Sequence, residues 1–415
     1  MTETQKNSGS FFAEEGVETE QIPLGSTAVP FGLTAVANPS VGVGGAYGTW
    51  GESYDNSGMP SLIQRQLGRA LPENELMELD TLGFINRHRT PDGLTYDQDV
   101  ELEVEVGARL LRRAAAANGW KPGEVDAVLI GVSLPIVPDY IEQIARRAGI
   151  REDALKVSVH KACDGSVGSL HLALNPELAA PGQLNIAETL LGKKVLLGGI
   201  EGLTRGIRHS HDRHALQLFG NGAGVIGLVP GQSMKFLTGK TYEVFDEEGV
   251  LEVHMFYPHS GHREPGKSLV EVSQQGNSIR VAGLMHEPED GQSIAMAGPM
   301  GMVKLFVRSG VQVVSEVYQT YLNLMQKIGQ TPRIAVAIVH HANYKINKLK
   351  EKQLAGLGIK FPMPWLLSEF GNVSAASNMI AFLRQLPKLH PGDHVLIDGF
   401  GAGTYYDVLA VEMGT

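Results

Sequence analysis

Short, almost wholly apolar stretches bounded by turn formers recur along the chain: "DAVLIGVS" (126–133), "KVLLGGI" (194–200), "AGVIGLV" (223–229), "RIAVAIVHH" (333–341) and "DHVLIDGF" (393–400). Such unbroken runs predict strands covered on both faces, because a half-exposed strand alternates apolar with polar positions. Between them lie segments of helical period. In "EVEVGARLLRRAAAANG" (103–119) Ala, Leu and Arg recur at helical spacing, and the pattern stops at Gly119, with Pro122 just beyond. Buried strands alternating with helices predict an α/β protein whose sheets lie inside it. Residues 1–33 differ: they are polar, acidic and aperiodic, and read as an extension that is either disordered or packed on the surface. The fold proper is expected to begin near Thr34.

The pattern also repeats. A strand over 127–133 is followed, after a helix, by "LKVSVH" and a small-residue helix starting near Cys163. Later, "RIAVAIVHHAN" is followed by "FGNVSAASNMIAFL". Ser133 and Cys163 are 30 residues apart, and His340 and Asn372 are 32 apart. Similar spacing suggests two related halves, divided at about residue 230, so that 34–230 and 231–415 form a pair. Packed about a pseudo-twofold axis, the halves would bring their strand ends to one centre. The Gly, Ser and Ala of "DGSVGSLHLAL" and "VSAASNMIAFL" would let backbones approach closely there.

With 415 residues, of which 43% are hydrophobic, the chain is long enough for a large core. A formal charge of −10 argues against nucleic acid or an anionic membrane surface as partner, since both need a surplus of Lys and Arg. No run of about 18 apolar residues is seen, and the N-terminus lacks the basic-then-apolar order of a secretory signal, so a cytoplasmic location is expected. The single cysteine excludes an internal disulfide and multi-thiolate metal sites, and no metal site is expected.

That cysteine, Cys163, reads in two ways. A lone cysteine is commonly a small buried apolar residue. The junction "SVHKACDGSVGS" would instead set its sulfur at a strand-to-helix elbow, where unpaired N–H groups favour thiolate. Asp164 would oppose thiolate if it pointed inward, or cap the helix if it faced away. "VHHANYKINK" places His340 and His341 at the end of an apolar strand, where α/β proteins bind ligands, although a histidine pair is more often structural. Asn372 offers either an amide donor to a developing oxyanion or a helix cap. "DGFGAGTYYDVL" reads as a Gly-rich turn that brings backbone N–H groups near a reacting carbonyl, or as a tight hairpin.

In their order along the chain, "KACDGSVGSLHLAL", "FGNGAG" (219–224), "MAG" (296–298), "HHAN" (340–343), "GNVSAAS" (371–377) and "GFGAG" (399–403), with "GFINRHR" (83–89) upstream, resemble the β-ketoacyl-ACP synthase III group of the thiolase superfamily. The resemblance runs from about Val41 to the C-terminus. It implies a five-layer αβαβα thiolase fold of two pseudo-symmetric halves and a Cys-His-Asn triad of Cys163, His340 and Asn372. It also implies a homodimer and no bound cofactor, the substrates arriving on CoA or on the phosphopantetheine of an acyl carrier protein. In this family the cysteine takes an acyl group as a thioester, which is then condensed with a second, carrier-bound malonyl or β-ketoacyl unit. The backbone N–H groups of Cys163 and Ala402 would hold the acyl carbonyl, while His340 and Asn372 hold the enolate-like oxygen. His341 stands where the family usually has Gln.

Two departures bear on substrate. The Trp and Arg that hold CoA in relatives are absent from "MELDT" (77–81), and the stretch 230–293, with "YPHSGHREPGK" in it, is long. The first implies that CoA is not held in the usual manner; the second, with the N-terminal extension, suggests secondary-metabolite or polyketide assembly on an unusual acyl chain. Lys345, Lys348, Lys350 and Lys352 read either as a solvated helix face or as a docking rim for an acidic carrier protein, with "RGIRHSHDRHA" (205–215) as a second basic cluster. Ser133 stands where relatives that deprotonate a non-malonyl donor carry Glu, and Glu142 is expected on the following helix, so decarboxylative condensation is favoured. The alternatives are an acyltransferase forming an ester or amide, and an inactive partner subunit.

Overall fold

A computed structural model describes residues 9–133, 137–179, 184–207, 213–243, 270–282, 303–401 and 405–414. The apolar runs become central strands. One sheet contains β1 (Glu18–Leu24), β2 (Thr27–Asn38), β3 (Val43–Trp50), β6 (Ala127–Gly131), β7 (Leu155–His160), β8 (Val195–Glu201), β9 (Gly222–Leu228), β11 (Glu271–Gln275) and β12 (Ser278–Ala282). Their order is β1-β2-β3-β9-β8-β6-β7-β12-β11. A second sheet, in the order β10-β15-β14-β13, contains β10 (Met234–Glu243), β13 (Ile334–Val339), β14 (His394–Gly401) and β15 (Tyr405–Met413). The short ribbon β4 (Glu52–Asp55) with β5 (Asn86–Arg89) stands apart.

The two sheets carry the same wiring. β3-β9-β8-β6 and β10-β15-β14-β13 each run antiparallel, antiparallel, then parallel, and each takes its members from the same places in its half of the chain. Helices fill the layers around them. Helix Tyr96–Ala117, started by a Thr95–Gln98 capping box, and helix Tyr140–Ala148 cover the outer face of the larger sheet. Helices Gly310–Ile328 and Tyr344–Gly356 belong to the outer layer on the smaller sheet, and helices Gly165–Leu174 and Ser377–Gln385 lie between the sheets. This is the five-layer αβαβα thiolase architecture. The middle layer must be thin, and small residues make it so. A Cβ on Gly131 of β6 would come within 2.1 Å of the backbone of Gly165.

Two expectations about boundaries are corrected. Residues 9–33 belong to the fold: β1 and β2 extend the larger sheet, and Phe11, Ile22, Val29 and Phe31 are buried. The acids of Glu18–Leu24 mask β1, and Pro30 interrupts the apolar run of β2. Residues 271–282, assigned on sequence to the C-terminal half, pair through β12 with β7 of the N-terminal half. "MAG" (296–298), "YPHSGHREPGK" (257–267) and Ala402 lie outside the described residues.

Candidate active site

Cys163 sits in a 3-10 turn, Ala162–Asp164, between β7 and helix Gly165–Leu174. The elbow is sharp enough to put Ala162 in the left-handed region at φ 47°, which costs a non-glycine residue about 1–3 kcal/mol. The second half repeats the device: the turn Ser374–Ala376 opens with Ser374 at φ 45° and leads into helix Ser377–Gln385. Strain kept at both elbows is what the packing of the middle layer has to hold. Cys163 is 9% exposed, and the Ser374 hydroxyl donates to its sulfur at 3.1 Å. The thiol therefore lies at the head of a helix, where the aligned peptide dipoles favour its ionised form.

Asp164 neither caps the helix nor faces away. It is fully buried, with Gly399 of β14 beneath it, and burial together with the nearby Asp407 pushes its carboxyl well above the usual range. A neutral Asp164 does not oppose a thiolate. The charge behind the elbow belongs to Lys161, whose ammonium contacts the Asp407 carboxylate, and His171 Nδ1 is 2.6 Å from the other Asp407 oxygen. Burial raises the Asp407 carboxyl, but Lys161 and His171 outweigh it and hold it far below the usual range.

His340 and Asn372 are set by opposite ends of one segment. The Asn372 backbone is pinned beside Phe219, its N–H donating to Leu218 O at 2.8 Å and its carbonyl accepting from Gly220 N at 3.1 Å. Its Oδ1 accepts from Ser374 N at 3.0 Å, and no described residue accepts from its Nδ2. Five residues on, Ser377 Oγ lies 2.6 Å from His340 Nδ1, while His340 Nε2 is buried without a hydrogen-bond partner among the described residues. Burial, with His341 and Lys350 nearby, pushes the His340 imidazole down to about 3, so it is neutral. Asn372–Ser377 thus touches the sulfur with one hydroxyl and the imidazole with another.

His341 has a different part. Its Nδ1 donates to Val339 O at 2.7 Å, its Nε2 accepts from Leu366 N at 3.0 Å, and its ring packs on Trp365. Both nitrogens serve the core. Of the basic residues after the histidines, Lys345, Lys348 and Lys352 are exposed, but Lys350 is buried and paired with Asp398. Lys350 is removed from the rim. Arg205 of the second cluster is likewise buried, paired with Glu103 at 2.9 Å, and 208–212 lie outside the described residues. Glu142 is in the first turn of helix Tyr140–Ala148, as expected.

Sequence reasoning missed several residues around this centre. Arg87 and Arg89, inside "GFINRHR", are fully buried and donate to the carbonyls of Gln217, Leu216 and Phe219, fixing the loop against which Asn372 is pinned. Glu201, at the end of β8, is fully buried, and its Oε1 accepts from Ser133 N at 2.8 Å and Ala375 N at 3.2 Å. Burial pushes its carboxyl up to about 8 against the pull of these bonds. An acid closing an otherwise apolar strand was the available signal.

A model of the C-terminal region of 3-oxoacyl-[acyl-carrier-protein] synthase III matches residues 325–413. A β-ketoacyl-[acyl-carrier-protein] synthase III from Halalkalibacterium halodurans is 26% identical over 339 residues, which covers 80% of this chain and 88% of that one. The crystal structure of 3-oxoacyl-[acyl-carrier-protein] synthase III from Aquifex aeolicus superposes with a TM-score of 0.59 at 17% identity, over 95% of this chain and 100% of that one. The type III polyketide synthase domain of a Dictyostelium hybrid enzyme gives 0.62 at 13% identity, over 92% of this chain and 99% of that one, a likeness of fold. By these likenesses the chain is similar to β-ketoacyl-[acyl-carrier-protein] synthase III condensing enzymes and has their thiolase fold.

Proposed function

We propose that the enzyme takes an acyl group from a CoA or carrier-protein thioester onto Cys163 and condenses it, with loss of CO2, with a carrier-bound malonyl unit. The observation that carries this reading is the Asn372–Ser377 segment, which bonds Cys163 through Ser374 and His340 through Ser377. In the first step the sulfur attacks the thioester carbonyl and expels the carrier thiol. In the second, the malonyl C–C bond to CO2 breaks and its electrons form an enolate-like thioester oxygen. His340 Nε2 and Asn372 Nδ2 stabilise that oxygen, and the carbanion attacks the acyl group on Cys163. Supporting these roles, Asn372 Oδ1 is already engaged, which leaves its amide nitrogen as donor, and His340 Nε2 is buried and unpaired among the described residues.

Ser133 supports the decarboxylative form, since its hydroxyl is bonded to Ser374 Oγ at 2.7 Å rather than serving as a base. Lys345, Lys348 and Lys352 on helix Tyr344–Gly356 dock the acidic carrier. Lys345 keeps 60% of its side chain exposed, and Lys348 keeps 47% while pairing with Glu351. The length of 230–293 supports a role in secondary-metabolite assembly, and the missing tryptophan over 77–81 supports a CoA grip unlike that of relatives. The test supplies an acyl-CoA and malonyl-carrier labelled at the free carboxyl. Labelled CO2 with a β-keto thioester is expected, whereas an ester or amide formed without CO2 refutes the reading.

A further inference from the structure

The stretch "GSFFAEEG" (9–16) sets two aromatic residues ahead of two acids. Ser10 Oγ accepts from Phe12 N at 3.3 Å and caps the 3-10 turn Phe11–Ala13. Phe11 packs on Phe370 with ring centroids 4.8 Å apart and on Tyr47 at 5.7 Å. Phe12 packs on His88 at 4.4 Å, in space that Gly32 of β2 leaves open, since a Cβ there would stand 2.5 Å from its ring. Ser10 Oγ also lies 2.8 Å from His88 Nε2. Glu14 accepts from Arg384 Nη2 at 2.9 and 3.1 Å, while Arg384 Nη1 donates to the Leu366 carbonyl at 2.8 Å and pairs with Glu369.

These contacts fall on both sides of one backbone pairing. Asn372 is held by Leu218 and Gly220, and it follows Glu369, Phe370 and Gly371 in the chain. On the facing segment, Asn221 N donates to the His88 carbonyl at 2.9 Å. Glycines make the pairing soft. Gly371 takes φ 72°, and a Cβ on Gly220 would come within 2.3 Å of the Phe370 carbonyl oxygen, so neither position can carry a side chain that would stiffen it. Restraint has to come from the neighbours. We infer that residues 10–14 form a clamp that positions Asn372 for condensation, Phe11 and Glu14 restraining Glu369 and Phe370, and Ser10 with Phe12 restraining His88 behind Asn221; this rests on the reading that Asn372 stabilises the enolate-like oxygen.

The clamp bears on Asn372 more than on the sulfur. Past Asn372 the segment has anchors of its own: Ser374 Oγ lies 2.7 Å from Ser133 Oγ, Ala375 N donates to Glu201 at 3.2 Å, and Asn378 Nδ2 donates to the carbonyls of Ile338 and Asp398. Ser374 therefore stays against Cys163 when the clamp is loosened, and loading of the acyl group does not depend on it. Decarboxylation does, since a group about 1 Å out of place can cost roughly 100-fold in rate. The clamp residues are positioning residues that act through Asn372.

Phe11→Ala is compared with Phe31→Ala, which empties an equally buried site in a different apolar cluster, that of helix Tyr96–Ala117. Single-turnover release of CO2 from malonyl-carrier by the acylated enzyme is expected to fall about 10- to 100-fold in Phe11→Ala, with acylation near its native rate, and to stay near native in Phe31→Ala. Glu14→Gln, which leaves the apolar core intact, is expected to lower condensation by a smaller factor and to spare acylation in the same way. In an Asn372→Ala background Phe11→Ala should cost nothing more, because both act through one side chain. Hydrogen exchange at the Asn372 N–H, which needs no substrate, should quicken in Phe11→Ala and not in Phe31→Ala. Acylation and condensation falling together, losses of Phe11→Ala and Asn372→Ala that multiply, or unchanged exchange at Asn372 would each overturn the inference. If Phe11→Ala does not fold, the same readouts on Glu14→Gln decide. A native enzyme that releases no CO2 refutes the condensing reading instead, and the exchange comparison still tests the clamp.

Discussion

Asn372→Ala separates the two half-reactions. Its backbone bonds to Leu218 and Gly220 do not involve the side chain, so the segment stays pinned when the amide is removed. The side chain makes one structural bond, Oδ1 to Ser374 N, worth about 1 kcal/mol of stability and helping to keep Ser374 at φ 45°. Removing the Nδ2 donor from the oxygen that gains charge during decarboxylation is expected to cost about 2.7–4 kcal/mol, or roughly 100- to 1000-fold in rate. Cys163 and its contact with the Ser374 hydroxyl stay in place, so acylation is expected near its native rate. Rapid quench with intact-mass detection follows the acyl adduct, and product analysis after malonyl-carrier follows the condensation. If both steps fall together, or condensation survives intact, Asn372 does not have this role.

Lys350→Met leaves the Asp398 carboxylate buried without its partner and is expected to lower unfolding free energy in urea by about 3–5 kcal/mol, whereas Lys348→Met, at an exposed pair, should cost no more than about 1 kcal/mol. Phe11→Ala empties a fully buried site and is expected to cost about 3–5 kcal/mol, a loss that a loose N-terminal extension would not show. Burial holds His88, His160 and His340 down to about 3 and His341 to about 4, so below about 6.5 the unfolded chain binds protons the folded chain refuses, and stability falls with acid. Urea unfolding of His88→Asn should therefore show a shallower acid limb, by about 1.4 kcal/mol per pH unit between pH 6.5 and 4.5.

Much of the frame was legible. β6, β8, β9, β13 and β14 fall within a residue or two of the apolar runs, because a strand covered on both faces has no polar positions to blur it. β1 was not, since most of Glu18–Leu24 faces solvent with only Ile22 and Leu24 buried, and β3 hides behind the glycines of Val43–Trp50. Lys350 could have been separated from its neighbours by period alone. On a helix it stands roughly 140° from Lys345, while Lys348 and Lys352 share the Lys345 face. The part of Glu201 was not legible, because it is set by Ser133 and by Ala375 of the other half, residues far apart in the chain. Asp164 is a similar case, its carboxyl kept neutral by burial and by Asp407.

The central claim is that Cys163 carries the acyl group between the two steps. Incubating the enzyme with a panel of acyl-CoA and acyl-carrier thioesters, then mapping the modified peptide by mass spectrometry, tests it most directly. The expected result is one acyl mass on the peptide containing Cys163, lost when malonyl-carrier is added and absent in Cys163→Ala. An unmodified Cys163 peptide while β-keto product still forms would contradict it.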